Sequence, residues 1–131
     1  MSELLELPVE AIAAAVRGGE LTALQMVEAS LQRIGEVEPR LGAFLGLESD
    51  EALQAAAAID ERRRRGERLG RLAGVPIARK DNLGLSGRRT GCASRILEGY
   101  VSPLTATAIE RLIDEDAVFV GRTNMDEFAM G

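Results

Sequence analysis

The sequence predicts an α/β protein in which N-terminal helices lead into the first strands of a helix-covered sheet. Two observations carry this prediction. Residues 1–70 contain three segments with helical apolar spacing and helix stop signals. From about residue 70 short β-prone runs alternate with glycines and small polar residues, and a strand, helix, strand order over residues 74–120 fits a right-handed crossover. The chain accordingly divides into a helical segment, 1–70, and the beginning of an α/β core, 71–131.

The elements follow in order. A first helix is predicted over residues 8–17, with Pro8 at its first position and Gly18-Gly19 as its stop; Val9, Ile12, Ala13 and Val16 share one face. Thr22 and Gln25 form a capping box for a second helix, whose apolar stripe is Leu24, Val27, Leu31 and Ile34 and which Pro39 is expected to end near Val37-Glu38. Gly42 to Leu47 reads as extended. Ser49 or Asp50 is expected to cap a third helix running to about Arg65, through the strong helix former Ala55-Ala56-Ala57-Ala58. The Arg62-Arg63-Arg64-Arg65 run complements the negative end of that helix and points around a full turn, which does not suit a polyanion groove. Leu72 to Ala78 is a strand, and Pro76 within it implies an edge, a strand start or a bulge. A long glycine-rich loop covers residues 83–94. Thr105 or Thr107 is expected to cap a helix over residues 106–114, Ala117-Val118-Phe119-Val120 is a buried strand, and a last helix is predicted from Asn124 through Met130.

Composition excludes several kinds of chemistry. With no Trp and 3% aromatics, the core must be built from Ala, Leu, Val and Ile. Net charge is −5: residues 1–66 carry seven Arg against twelve acids and the remainder is neutral, so neither half has the basic footprint of a nucleic-acid binder. The absence of His removes Ser-His-Asp and Cys-His catalysis and any His-containing metal site, and no metal is expected. The single cysteine, Cys92, permits no internal disulfide and reads as a small, partly buried, reduced residue. The N-terminus is acidic, and no apolar run approaches the ~18–20 residues that span a bilayer. A cytoplasmic location is expected.

The stretch Gly74-Val75-Pro76-Ile77-Ala78-Arg79-Lys80-Asp81-Asn82 stands out. Lys80 is the one lysine beside fifteen arginines, and of the two only lysine can be deprotonated in a protein. It falls at the C-terminal end of a strand, where open α/β sheets place their chemistry. Buried there, it could act as a general base, with Asp81 and Asn82 holding it by hydrogen bonds. A Ser-Lys arrangement is compatible with this, and Ser86, Ser94 and Ser102 are serine candidates by residue type alone.

At these residues the sequence resembles the amidase signature family. The likeness rests on Gly74 to Ala78, Lys80-Asp81-Asn82, Arg89-Thr90, Cys92-Ala93-Ser94-Arg95-Ile96-Leu97-Glu98, Thr107, and above all the block Gly121-Arg122-Thr123-Asn124-Met125-Asp126-Glu127-Phe128-Ala129-Met130-Gly131. It covers residues 74–131 nearly without gaps and residues 1–70 more loosely. Within the family it is similar to the branch that serves as the glutaminase subunit of tRNA-dependent amidotransferases. The resemblance implies a helix-covered mixed sheet and a triad of a nucleophilic Ser, a cis-Ser and a Lys. Lys80 aligns with the triad lysine. Both serines would lie in a Gly/Ser-rich signature beyond Gly131, which removes Ser86, Ser94 and Ser102 from the triad and implies that the chain is inactive alone. Met130 and Gly131 align with the rim of the substrate pocket. The resemblance further implies glutamine as substrate and partner subunits B and C. The first of these partners would make most of the tRNA contacts and hold ATP and Mg²⁺, leaving no cofactor in this chain.

Three positions depart from the family pattern. Arg79 stands where an apolar residue is usual, and facing the core it would need a buried partner; lying near Lys80 it would favour the neutral amine. Gly91 stands where Thr is common. Asp116 stands where Gly is usual, and a left-handed backbone there would cost Asp more than Gly. Two other readings remain beside the amidotransferase one: a different amidase-signature amide hydrolase, or a non-catalytic truncated fragment whose helices bind a partner.

Overall fold

Helix α1 (Val9–Gly18) starts one residue after the expected first position, Pro8, whereas helix α2 (Ala23–Leu41) begins where its capping box places it. Pro8 is the N-cap of α1, and Gly19, at φ 82°, closes the helix by donating its N–H to the carbonyls of Ala15 and Val16. The computed structural model describes residues 2–131. The capping box of α2 is complete: Thr22 Oγ1 accepts from the Gln25 N–H at 3.0 Å, and Gln25 Oε1 accepts from the Thr22 N–H at 2.9 Å. A second anchor comes from far along the chain. Buried Asp60 accepts the N–H groups of Ala23 and Leu24 at 2.8 and 3.1 Å, placing a carboxylate at the positive end of α2.

Pro39 does not end α2, which runs on to Leu41. The proline removes one N–H donor to the Gly35 carbonyl, and both Gly35 and Pro39 are exposed, so that carbonyl is open to solvent and the loss costs little. Glu38 then secures the end: its carbonyl accepts from Gly42, at φ 61°, and its carboxylate accepts from the Phe44 N–H at 2.7 Å.

Strand β1 (Phe44–Leu47) leads into α3 (Ser49–Arg64). The N-cap is Glu48, and neither Ser49 nor Asp50 caps the helix. The Glu48 N–H is bonded to the Val120 carbonyl at 2.9 Å, so the chain enters the helix directly from the sheet. The arginine run at the other end spreads as expected. Arg64 and Arg65 pair with Glu61, Arg62 pairs with Glu67 and Asp116, and Gly66 follows at φ 75°.

Strands β2 (Pro76–Lys80) and β3 (Val118–Thr123) flank helix α4 (Thr107–Asp114) in sequence. The sheet is mixed, with order β1-β3-β2: β2 runs parallel to β3 and β1 antiparallel to it. Pro76 is the first residue of a strand at the edge of this sheet, which starts there and not at Leu72, and the irregularity falls beyond the proline, between Ile77 and Ala78. The Ala106 backbone is the N-cap of α4; Thr105 and Thr107 do not cap it, and Thr105 Oγ1 instead accepts from the Ser86 N–H at 3.0 Å. Residues after β3 form a single 3₁₀ turn, Glu127–Ala129, and not the predicted helix. Phe128 and Ala129 sit at φ 51° and 57°, in the left-handed region that no right-handed helix can include.

The core lies between α2, α3 and β3: Val27, Ile34, Ala52, Ala56, Ile59, Val118 and Val120 form one buried cluster. The alanines of α3 let that helix lie close to the strand. A second cluster joins Ile12 and Ala13 of α1 to Met26 and to Val75, just before β2. Among the described residues, no helix is long and apolar enough to cross a membrane.

Candidate functional site

The C-terminal ends of the parallel strands β2 and β3 carry the site residues. Their register pairs Arg79 with Arg122 and Lys80 with Thr123. Successive strand residues alternate between faces, so Arg79 and Arg122 share one face and Lys80 takes the other. Exposure follows this division: Arg79 is 1% exposed and Asp81 0%, whereas Lys80 and Asn82 are exposed. The expectation of a buried lysine is therefore corrected for this chain.

Asp81 organises the loop beyond the strand. Its Oδ1 accepts from Arg122 Nη1 at 3.0 Å, its Oδ2 accepts from the Ala93 N–H at 3.0 Å, and its carbonyl accepts from the Cys92 N–H at 3.1 Å. Both carboxylate oxygens are thus committed to Arg122 and the loop, on the face away from Lys80. The expected bonds from Asp81 to Lys80 are replaced by a scaffold role. Cys92 and Ala93 are bent around the carboxylate at φ 49° and 51°. A Cβ at Gly91 would lie 3.1 Å from Asp81 Oδ2, so the absence of a side chain there lets the loop close on the aspartate.

The same loop holds the last turn. Ser94 Oγ donates to Glu127 Oε1 at 2.6 Å, and the Phe128 N–H donates to the Cys92 carbonyl at 3.0 Å. The segment ending in Met130 and Gly131 is thereby tied to Asp81 through residues 91–94, with Met130 itself 84% exposed. A cavity of about 290 Å³ opens beside this arrangement, lined in part by Asp81, Arg89, Thr90, Ser94, Tyr100 and Arg122. Lys80, Met130 and Gly131 do not line it. The other two serines are also engaged structurally: Ser86 Oγ donates to the Pro103 carbonyl and Ser102 Oγ to that of Leu104.

Sequence reasoning did not single out Arg122 as a partner of Asp81, or Glu48, whose carboxylate reaches Arg79 at 2.7 Å. Arg122 lay within the most specific block of the sequence, which was the available signal. Glu48 gave none, because it precedes Arg79 by 31 residues. Cys92 is half-buried and unpaired, as expected. Among the described residues no group of three or more His, Cys, Asp or Glu side chains is placed to hold a metal ion.

Comparison with known proteins agrees with this architecture. Residues 25–131 match the family described as Amidase. The chain is 50% identical, over all 131 residues, to the glutamyl-tRNA(Gln) amidotransferase A subunit of Streptomyces coelicolor, covering 26% of that protein. It is 54% identical over 114 residues to the protein of the same name from Symbiobacterium thermophilum, covering 86% of this chain and 23% of the relative. Among solved structures it is similar to the native peptide amidase of Stenotrophomonas maltophilia, with a TM-score of 0.86 and 37% identity over 94% of this chain and 26% of the amidase. The chain thus spans about a quarter of the length of the relatives it matches. Taken with the fold and the Lys80-Asp81-Asn82 strand end, the match assigns the sequence: the chain belongs to the amidase family.

Proposed function

We propose that this chain is the N-terminal part of the glutaminase subunit of a tRNA-dependent amidotransferase, and that Lys80 is its catalytic base. One observation carries the reading. Lys80 is the only lysine, and it lies exposed at the C-terminal end of β2, on the face opposite the buried Arg79 and Asp81 and the partly buried Arg122. It is therefore free to meet groups supplied by the remainder of the fold, and relatives at about half identity bear the amidotransferase name.

In this reading the neutral amine of Lys80 takes a proton from the cis-Ser, which in turn takes one from the nucleophilic Ser. The activated oxygen attacks the amide carbon of glutamine. Lys80 returns its proton through the cis-Ser to the leaving nitrogen, ammonia departs, and water hydrolyses the resulting acyl-enzyme. Asp81 fixes the backbone from which Lys80 projects, Asn82 follows it at the mouth of the strand, and Met130 and Gly131 form part of the pocket rim. The ammonia serves conversion of Glu-tRNA(Gln) to Gln-tRNA(Gln), or Asp-tRNA(Asn) to Asn-tRNA(Asn), in a cytoplasmic heterotrimer with subunits B and C. ATP- and Mg²⁺-dependent activation of the tRNA-bound acid belongs to the first of these partners, and the second packs against the glutaminase.

The test is glutamine hydrolysis by a full-length protein that contains this segment, assembled with both partners. Lys80→Ala should lower kcat by about a thousandfold or more, because a base acting in concert with a nucleophile is not replaced by solvent. Activity retained in that variant would refute the assignment. The 131-residue chain by itself should release no ammonia. Hydrolysis by the purified chain that Lys80→Ala abolishes would overturn the proposed division of the triad. A likeness to peptide amidase favours a second reading, hydrolysis of a free amide. It predicts ammonia release without amidation of Glu-tRNA(Gln) when both partners are present.

A further inference from the structure

The residue before Lys80 is the bulkiest fully buried side chain among the described residues. Arg79 Nη2 donates to Glu48 Oε1 at 2.7 Å and to the Arg89 carbonyl at 3.0 Å, while Nη1 donates to the Leu83 carbonyl at 3.0 Å. Its own carbonyl accepts from Thr123 Oγ1 at 3.3 Å. Four parts of the chain meet at this residue: the entry to α3 at Glu48, the end of β3 at Thr123, and Leu83 and Arg89 of the loop that follows β2. Glu48 is only 12% exposed at its side chain, so the ion pair is withdrawn from water. Nε is buried without a partner.

A buried ion pair is a poor source of net stability, since an apolar pair of similar volume commonly does as well. What the planar guanidinium adds is geometry, because it fixes several acceptors at once in directions that a point charge does not impose. Lys80 is exposed, so its place is set by the backbone that carries it. That backbone is the end of a five-residue strand at the edge of this sheet, with an irregular register between Ile77 and Ala78. We infer that Arg79, held by Glu48, is a positioning residue for Lys80: it locks the strand end and the following loop into the one conformation from which the amine reaches its serine. The inference rests on the reading of Lys80 as the base.

The experiment uses the full-length protein in its assembled complex and measures glutamine turnover and thermal melting together. In Glu48→Gln/Arg79→Met both buried charges are gone, so the pair leaves no uncompensated ion, but the Leu83 and Arg89 carbonyls lose their donor. The expected result is a fall in kcat of about tenfold, with KM for glutamine within about twofold, because a misplaced base weakens the transition state and not the ground-state complex. Arg79→Lys keeps a charge opposite Glu48 without the fork, and kcat should again fall with KM unchanged. A wild-type kcat in either variant overturns the inference, as does a rise in KM at constant kcat. Should the double variant not fold, Arg79→Lys alone decides. Lys80→Ala run alongside separates the two levels. If it stays active, the assignment of the base fails; if it is inactive while the Arg79 variants are normal, only the positioning role fails.

Discussion

Replacing Asp116 with Gly sets two effects against each other, and the structure decides the sign. Asp116 turns the chain from α4 into β3 at φ 65°. Relief of that left-handed backbone is worth roughly 1 kcal/mol. Glycine's greater freedom in the unfolded chain takes back ~0.4–1 kcal/mol. The backbone terms nearly cancel. The Asp116 residue, however, is buried, and its carboxylate accepts from the Gly70 N–H at 2.6 Å and from Arg62 Nη1. Losing a charge-assisted bond to this partly buried N–H costs ~1.5–3 kcal/mol. The Arg62 pair adds less, because the Arg62 side chain is 38% exposed, and such pairs contribute ~0–1 kcal/mol. The Gly70 N–H also has no ready substitute: the chain there passes so close to Glu115 that a Cβ on residue 70 would collide with the Glu115 backbone. Asp116→Gly should therefore destabilise the chain by about 2–3 kcal/mol. Asp116→Asn, which tolerates the backbone and retains one acceptor, should cost about half as much. Equilibrium urea unfolding, read by far-UV circular dichroism, measures both. A Gly variant as stable as the parent would refute the claim that the side chain outweighs the strain.

Two further predictions concern other parts of the fold. Asp81→Ala leaves the mostly buried Arg122 guanidinium and the Ala93 N–H without their acceptor. It should cost about 3–5 kcal/mol and speed tryptic cleavage at Arg89 and Arg95; cleavage at the parent rate would show that the loop does not depend on Asp81. Glu115 is the titrating group to watch. The Arg71 N–H, then the Arg71 side chain and the charge of Arg68, hold its carboxyl below the ordinary value of 4.5. Since the folded pKa lies below the unfolded one, the stabilisation is present above about 4.5 and is lost as pH falls through the folded value. Glu115→Gln should flatten the decline of the urea midpoint below that pH, and an unchanged slope would rule Glu115 out as its source.

The parts of the structure that were legible in the sequence are those set by near neighbours. Thr22 and Gln25 cap α2 because the bonds span three residues, and Gly19 and Gly66 end helices through their own backbone angles. Lys80 could be placed at a strand end for the same reason. The misjudged features are governed by distant partners. Glu48 replaces Ser49 as the N-cap residue because β3 and Arg79 hold it. The 124–130 segment has helix-forming residues and acids in its first turn, but bonds to Cys92 and Ser94 hold it in a left-handed turn. Pro39 was judged by its own chemistry, whereas the end of α2 is fixed by Glu38, Gly42 and Phe44. At the site, alternation along β2 separates Lys80 from Asp81, a distinction that adjacency in sequence conceals.

The central position of β3 also sets an order of events during synthesis. It is made after β1 and β2, yet it is the strand that pairs with both of them within this sheet. Phe44 pairs with Thr123 and Pro76 with Val118, so neither earlier strand can form its ladder until the ribosome has passed them by tens of residues. At ~5–20 residues per second, β1 waits for several seconds at least. During that interval the α2–α3 hairpin can form by itself, because its cap, its apolar stripe and the Asp60 anchor all lie within residues 22–60. The helical pair would then serve as the template onto which β3 docks, with the two older strands joining from either side and the lysine-bearing strand end taking shape only once β3 is in place.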